Sequence, residues 1–152
     1  MLVSTFVAAG RAEATGTLEG RVFAVAAGGD IKPARIAHVF LAAGDNAVTL
    51  QESLEGALTK RREDVANNAD TEQACLLASM SIFEAVKSDH SIRTSNTDED
   101  GSFDLPKLKA GAYIVVVIGT ANGFQSVWYQ TAIVTAGKRQ KVKLSEPALA
   151  CQ

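Results

Sequence analysis

At 152 residues the chain is long enough for one domain that hides roughly 70% of its unfolded surface, and its 47% apolar and 21% charged residues are ordinary for a globular protein. A formal net charge of -2 gives no electrostatic footing for nucleic acid or an anionic membrane surface. No apolar run approaches the roughly 18 residues that a membrane-crossing helix needs.

The N-terminal segment, 1–15, has two readings. Leu2 to Ala9 is apolar and Ala12-Glu13-Ala14 has the small-x-small form of a cleavage site, but no Lys or Arg precedes the run. It is either the remnant of a trimmed export signal or a frayed first segment. Residues 17–26 alternate as a strand, closed by the turn Gly28-Gly29-Asp30, and 35–42 form a second, ended by Gly44-Asp45-Asn46.

The hydrophobic period then lengthens from about 2 to about 3.6. Thr49 with Glu52 has the form of a capping box, so 50–66 reads as an amphipathic helix with Leu50, Leu54, Ala57, Leu58 and Val65 on one face. Asp70 is a good N-cap, with Gln73 at the reciprocal position, for a second helix over 71–87. Cys75, Leu76, Leu77, Met80, Ile82, Phe83 and Val86 cover more than one face of that helix, which predicts burial on two sides, against the first helix and against a sheet. The segment 47–89 is therefore a helical hairpin.

The β pattern resumes at 91–95 and continues over 102–106, 112–119, 126–135 and 140–145. Tyr113 to Ile118 is a continuous apolar run and predicts a central strand. Gln140-Lys141-Val142-Lys143-Leu144 alternates with lysines and suits an edge. Seven short strands, with the helices in one block, predict a mainly β, antiparallel sandwich carrying an inserted two-helix hairpin. The sandwich would occupy 16–146 and leave 147–152 as a tail.

Four groups of residues give this pattern a family likeness. They are Gly16-x-x-x-Gly20-x-Val22; Ala34-x-Ile36-x-x-Val39-x-Leu41; Thr97-x-x-x-Gly101-x-Phe103-x-Leu105-x-x-Leu108-x-x-Gly111-x-Tyr113; and Gly123-Phe124. Together they resemble the carboxypeptidase regulatory-like domain of the transthyretin-like, carbohydrate-binding-like β-sandwich superfamily. The likeness covers about 16–44 and 91–145. It implies a seven-stranded antiparallel Greek-key sandwich of the transthyretin (prealbumin-like) type, an Ig-like, non-catalytic module on secreted or cell-surface proteins of bacterial type, outside the cytoplasm, and it implies that these motif residues are structural. The hairpin at 47–89 departs from the pattern and is the natural place for a specific function, docking another protein or a second copy.

Candidate sites are few, and no cofactor is implied. Trp128-Tyr129 is the first candidate for carbohydrate or partner contact, since one of two adjacent strand residues faces away from the core; Phe124 would be their neighbour. Asn96-x-Asp98-x-Asp100-Gly101 imitates half a calcium loop, but Lys107 stands where the bidentate Glu belongs, so the motif reads as a turn. His38 and His90 with Tyr113 and Tyr129 would suit a ferric site only if the fold gathered them, and no metal is expected. Cys75 and Cys151 fit no zinc spacing. Either Cys75 is a small core residue and Cys151 a free tail thiol, or, in an exported protein, the pair forms a disulfide stapling the tail to the second helix.

Overall fold

The computed structural model describes residues 14–87 and 93–151. The expectations for the N-terminal run, for His90 and for Ser91 and Ile92 lie outside the described residues. The described chain is mainly β, with two sheets and two helices. One sheet is built on β1 (Thr15–Val25), which pairs antiparallel with β5 (Ser102–Lys109) and with β2 (Ile31–Pro33) along one edge and in parallel with β8 (Arg139–Leu144) along the other. The second runs β4 (Arg93–Asn96), β3 (His38–Ala43), β6 (Gly111–Ala121), β7 (Phe124–Val134) and β9 (Leu149–Ala150), antiparallel throughout. Helices α1 (Gly44–Ala66) and α2 (Thr71–Lys87) form the hairpin.

The two sheets enclose one core and the hairpin closes a second. Strand residues alternate between faces, so Tyr113, Val115 and Val117 point into the sandwich while Ile114, Val116 and Ile118 point under the helices. This is why the apolar run of β6 is unbroken: both of its faces are covered. β3 divides in the same way, with Val39 and Leu41 inward and Phe40 and Ala42 outward. Leu50 and Leu54 of α1, and Cys75, Ala78, Ile82 and Val86 of α2, complete the outer cluster. The hairpin is therefore a third layer, and removing it would bare the apolar face of the larger sheet.

Several expectations need correction. The strand expected over 35–42 begins only at His38, as β3, because Ala34 to Ala37 bends around Thr97. The Thr97 Oγ1 accepts from the Ala37 amide at 2.8 Å and donates to the Ala34 carbonyl at 2.6 Å, and Ile36 sits at a φ of 50°. The first helix starts at Gly44, six residues before the expected position counted from residue 50, and uses no side-chain cap. Thr49 lies inside it, with its hydroxyl donating to the Asp45 carbonyl at 3.0 Å. β8 is an edge, but it pairs with β1 in parallel, so the sandwich is not wholly antiparallel. The C-terminal tail is part of the fold. β9 pairs with β7, and Cys151 is joined to Cys75 with a Cα–Cα separation of 5.5 Å.

The acidic glycine turn behaves as scaffold. The Asp98 Oδ1 accepts from the amides of Asp100 and Ser102, both at 2.9 Å. Gly101 has a φ of 78°, and a Cβ there would lie 2.3 Å from the Val22 carbonyl oxygen. The Tyr113 hydroxyl donates to the Lys109 carbonyl at 2.5 Å, tying the start of β6 to the end of β5.

Candidate functional site

Helix α2 is built with two distinct faces. Its N-terminus is set by Asp70, whose Oδ1 accepts from the Gln73 amide at 3.0 Å, satisfying one of the orphan donors of the first turn. Its inner face is wholly buried on the sheet and on α1. The expected burial against the first helix and the sheet is met by this face, but it does not extend to Leu76, Leu77 and Met80 on the opposite face, which are 44%, 51% and 63% exposed. With 100° of turn per residue these three adjoin one another. They form a continuous apolar stripe that nothing in the described chain covers, flanked by exposed Gln73 toward the N-terminus and Glu84 toward the C-terminus.

Beside the stripe, between α2 and the rim of the larger sheet, runs an open cleft of about 540 Å³. Met80, Phe83, Ile36 and Ile118 form its apolar wall, and Arg35, His38 and Glu84 stand at its polar edge. Phe83 meets Phe40 edge to face at 6.2 Å, and the Lys87 ammonium lies 5.2 Å from the Phe83 ring centroid. The Gln125 side-chain amide donates to the Ser79 hydroxyl at 3.3 Å, pinning the helix to β7. Gly119 of β6, which also lines the cleft, lets the Ala34–Ala37 bend approach the strand. A Cβ at Gly119 would sit 2.5 Å from that of Ala37.

The aromatic residues singled out in the sequence are separated. Trp128 is fully buried in the sandwich core and its Nε1 donates to the Phe23 carbonyl at 3.1 Å. It offers no face to a ligand, which corrects the expectation that this ring could be a surface contact. Tyr129 points the other way and packs half-buried at the margin of the outer cluster. Phe124 is half-buried at the end of the sandwich, lining a hollow of about 270 Å³ with Val25, Asn122, Ser145 and Glu146. Among the described residues of the Tyr and His set, Tyr113 lies inside the sandwich, while His38 is exposed at the cleft, so these two are not brought together.

The outer face of the smaller sheet carries charges that answer one another. Arg139 meets Glu19 at 2.7 Å and Asp104 at 3.8 Å, and Lys141 meets Glu19 at 3.9 Å. Exposed pairs of this kind are an ordinary solvated surface. Among the described residues, no helix is long and apolar enough to cross a membrane.

No family model matches the chain, and no curated protein does. Solved structures do. A Pseudomonas aeruginosa protein described as a candidate carbohydrate-binding protein is similar over 95% of this chain and 97% of that one, at 15% identity and a TM-score of 0.50. A minor pilin of Streptococcus agalactiae is similar over 88% of this chain at 13% identity and a TM-score of 0.49. A pilus backbone protein of Streptococcus pneumoniae is similar over 87% at 16% identity and a TM-score of 0.40. The chain spans 44% and 41% of those two pilin chains. The first of these likenesses, which runs nearly the full length of both chains, supports the two-sheet fold and nothing finer.

The stripe on α2 was present in the sequence as Leu76, Leu77 and Met80, but periodicity alone assigned it to a second buried face. Its placement depends on which side of the helix the sheet occupies.

Proposed function

We propose that this chain is a non-catalytic binding module that works outside the cytoplasm and docks a protein partner on the outer face of α2. The observation that carries the reading is the stripe of Leu76, Leu77 and Met80, set opposite a wholly buried face of the same helix. A solvent-facing apolar patch with a polar border is characteristic of an interaction surface. The Cys75–Cys151 disulfide supports an oxidising compartment. The carboxypeptidase regulatory-like motifs support a surface or secreted module, with the hairpin as its specialised part.

The test is site-specific photo-cross-linking in cells that make the protein. A benzophenone residue at Leu77 or Met80 should give a protein adduct, while one at Lys141 on the far sheet should not. Adducts at all three positions, or at none, would refute the assignment. Deleting the hairpin is not a fair test, because the outer cluster would lose its cover.

A second reading, glycan binding, is favoured by the hollow at Phe124. There a half-buried ring stands beside the amide of Asn122, the hydroxyl of Ser145 and the carboxylate of Glu146. An aromatic face with convergent polar groups suits a sugar ring. Tyr129 lies on the other side of the sheet and would contribute separately. Glycan-array binding that survives Phe124→Ala and Tyr129→Ala would remove both residues from that role.

A further inference from the structure

We propose that the partner on α2 is a second copy of this chain, the two α2 helices packing antiparallel about a two-fold axis. The proposal rests on the docking reading above and commits it to one occupant. Residues 70, 73, 76, 77, 80, 84 and 87 share the outer face at helical spacing. The face is apolar at its centre, with Asp70 and Gln73 at one end and Glu84 and Lys87 at the other, all exposed.

Such a face is complementary to itself in one direction only. With the axis between Leu77 and Met80, Leu77 of one copy meets Met80 of the other. Gln73 then faces Glu84, an amide donor against a carboxylate, and Asp70 faces Lys87, an acid against a base. Each pairing occurs twice, as a two-fold interface requires. A parallel arrangement would set Asp70 against Asp70, Glu84 against Glu84 and Lys87 against Lys87, and like charges at that range repel. The antiparallel arrangement also places the positive N-terminus of each helix beside the negative C-terminus of its mate.

The size of the face sets the strength. A helix of 17 residues is roughly 25 Å long. One such pair covers less than the roughly 1,200 Å² of a standard stable interface, so the dimer is weak and concentration-dependent.

The experiment is sedimentation equilibrium on the whole oxidised protein at low ionic strength, from micromolar to millimolar concentration. The wild type should pass reversibly from monomer to dimer, and added salt should weaken it. Gln73→Glu creates two like-charge pairs and should raise the dimer dissociation constant roughly two- to fivefold. Gln73→Glu combined with Glu84→Lys should bring it back to wild type or below. Met80→Glu should raise it more than tenfold while leaving the circular dichroism unchanged. A protein that stays monomeric throughout, or a double variant no tighter than Gln73→Glu alone, overturns self-pairing. If such a monomer still cross-links to another protein through Leu77, the docking face stands with a different occupant. If it gives no adduct, the docking reading falls as well.

Discussion

Reducing the Cys75–Cys151 disulfide should cost the protein a large part of its stability. The bond links residues 76 apart in sequence. Opening it restores to the unfolded chain a conformational freedom worth about 4.5 kcal/mol at 25 °C in the chain-entropy account. For a domain of this size each kcal/mol moves the melting temperature by about 2–4 °C, so the expected drop is roughly 9–18 °C. The comparison is wild type with and without a reductant, so that no side-chain volume changes. Calorimetry gives the midpoint, and hydrogen exchange shows where order is lost first. β9 is short and tied to β7 by few bonds, among them the Ala148 amide to the Val127 carbonyl and the Cys151 amide to the Gln125 carbonyl, both at 2.8 Å. Those two amides should lose protection on reduction before the amides of Val115 and Val117 do. A midpoint lowered by less than about 3 °C would refute the reasoning. So would undiminished protection of the Ala148 and Cys151 amides after reduction, which would mean that the cross-link is not what holds the C-terminal strand.

Three further predictions concern the scaffold. Gly101→Ala should destabilise by at least about 2 kcal/mol, since a residue at positive φ is strained and its Cβ would meet the Val22 carbonyl. A urea midpoint indistinguishable from wild type would contradict the turn assignment. The single tryptophan should emit as a buried indole, resist iodide quenching, and on substitution Trp128→Phe cost about 1–3 kcal/mol for the orphaned Phe23 carbonyl; ready quenching would place the ring at the surface after all. Asp70→Ala should remove about 1 kcal/mol through the lost cap, read as faster exchange of the Gln73 amide, whereas Thr49→Ala, lacking a cap to lose, should leave the first helix within about 0.5 kcal/mol.

The parts of this protein legible in its sequence are those set by local chemistry. Asp70 was readable as a cap because its side chain has only to reach an amide three residues on. Gly101 was readable as a turn because positive φ is a property of one residue. The central place of β6 followed from an unbroken apolar run. The errors arose where a distant segment intervened. Thr49 and Glu52 matched a capping box, yet the helix was already under way, because Ala43 leaves β3 directly into Gly44. Ile36 looked like a strand residue and instead lies exposed on a bend that Thr97 pins from far along the chain. Trp128 and Tyr129 presented two rings on opposite faces, and only the assembled sheets decided that the indole is the inner one.

What the sequence determined alone, then, is a mainly β chain with a helical hairpin in its middle, because strand alternation and helix periodicity are written residue by residue. What the tertiary structure decided is which surfaces are left over. Two apolar faces of α2 compete for one sheet, and the sheet takes the face bearing Cys75, Ala78, Ile82 and Val86, which the disulfide to Cys151 holds in place. Leu76, Leu77 and Met80 are exposed as a consequence. Burial depends on what stands opposite a residue, and that is fixed only when the layers meet.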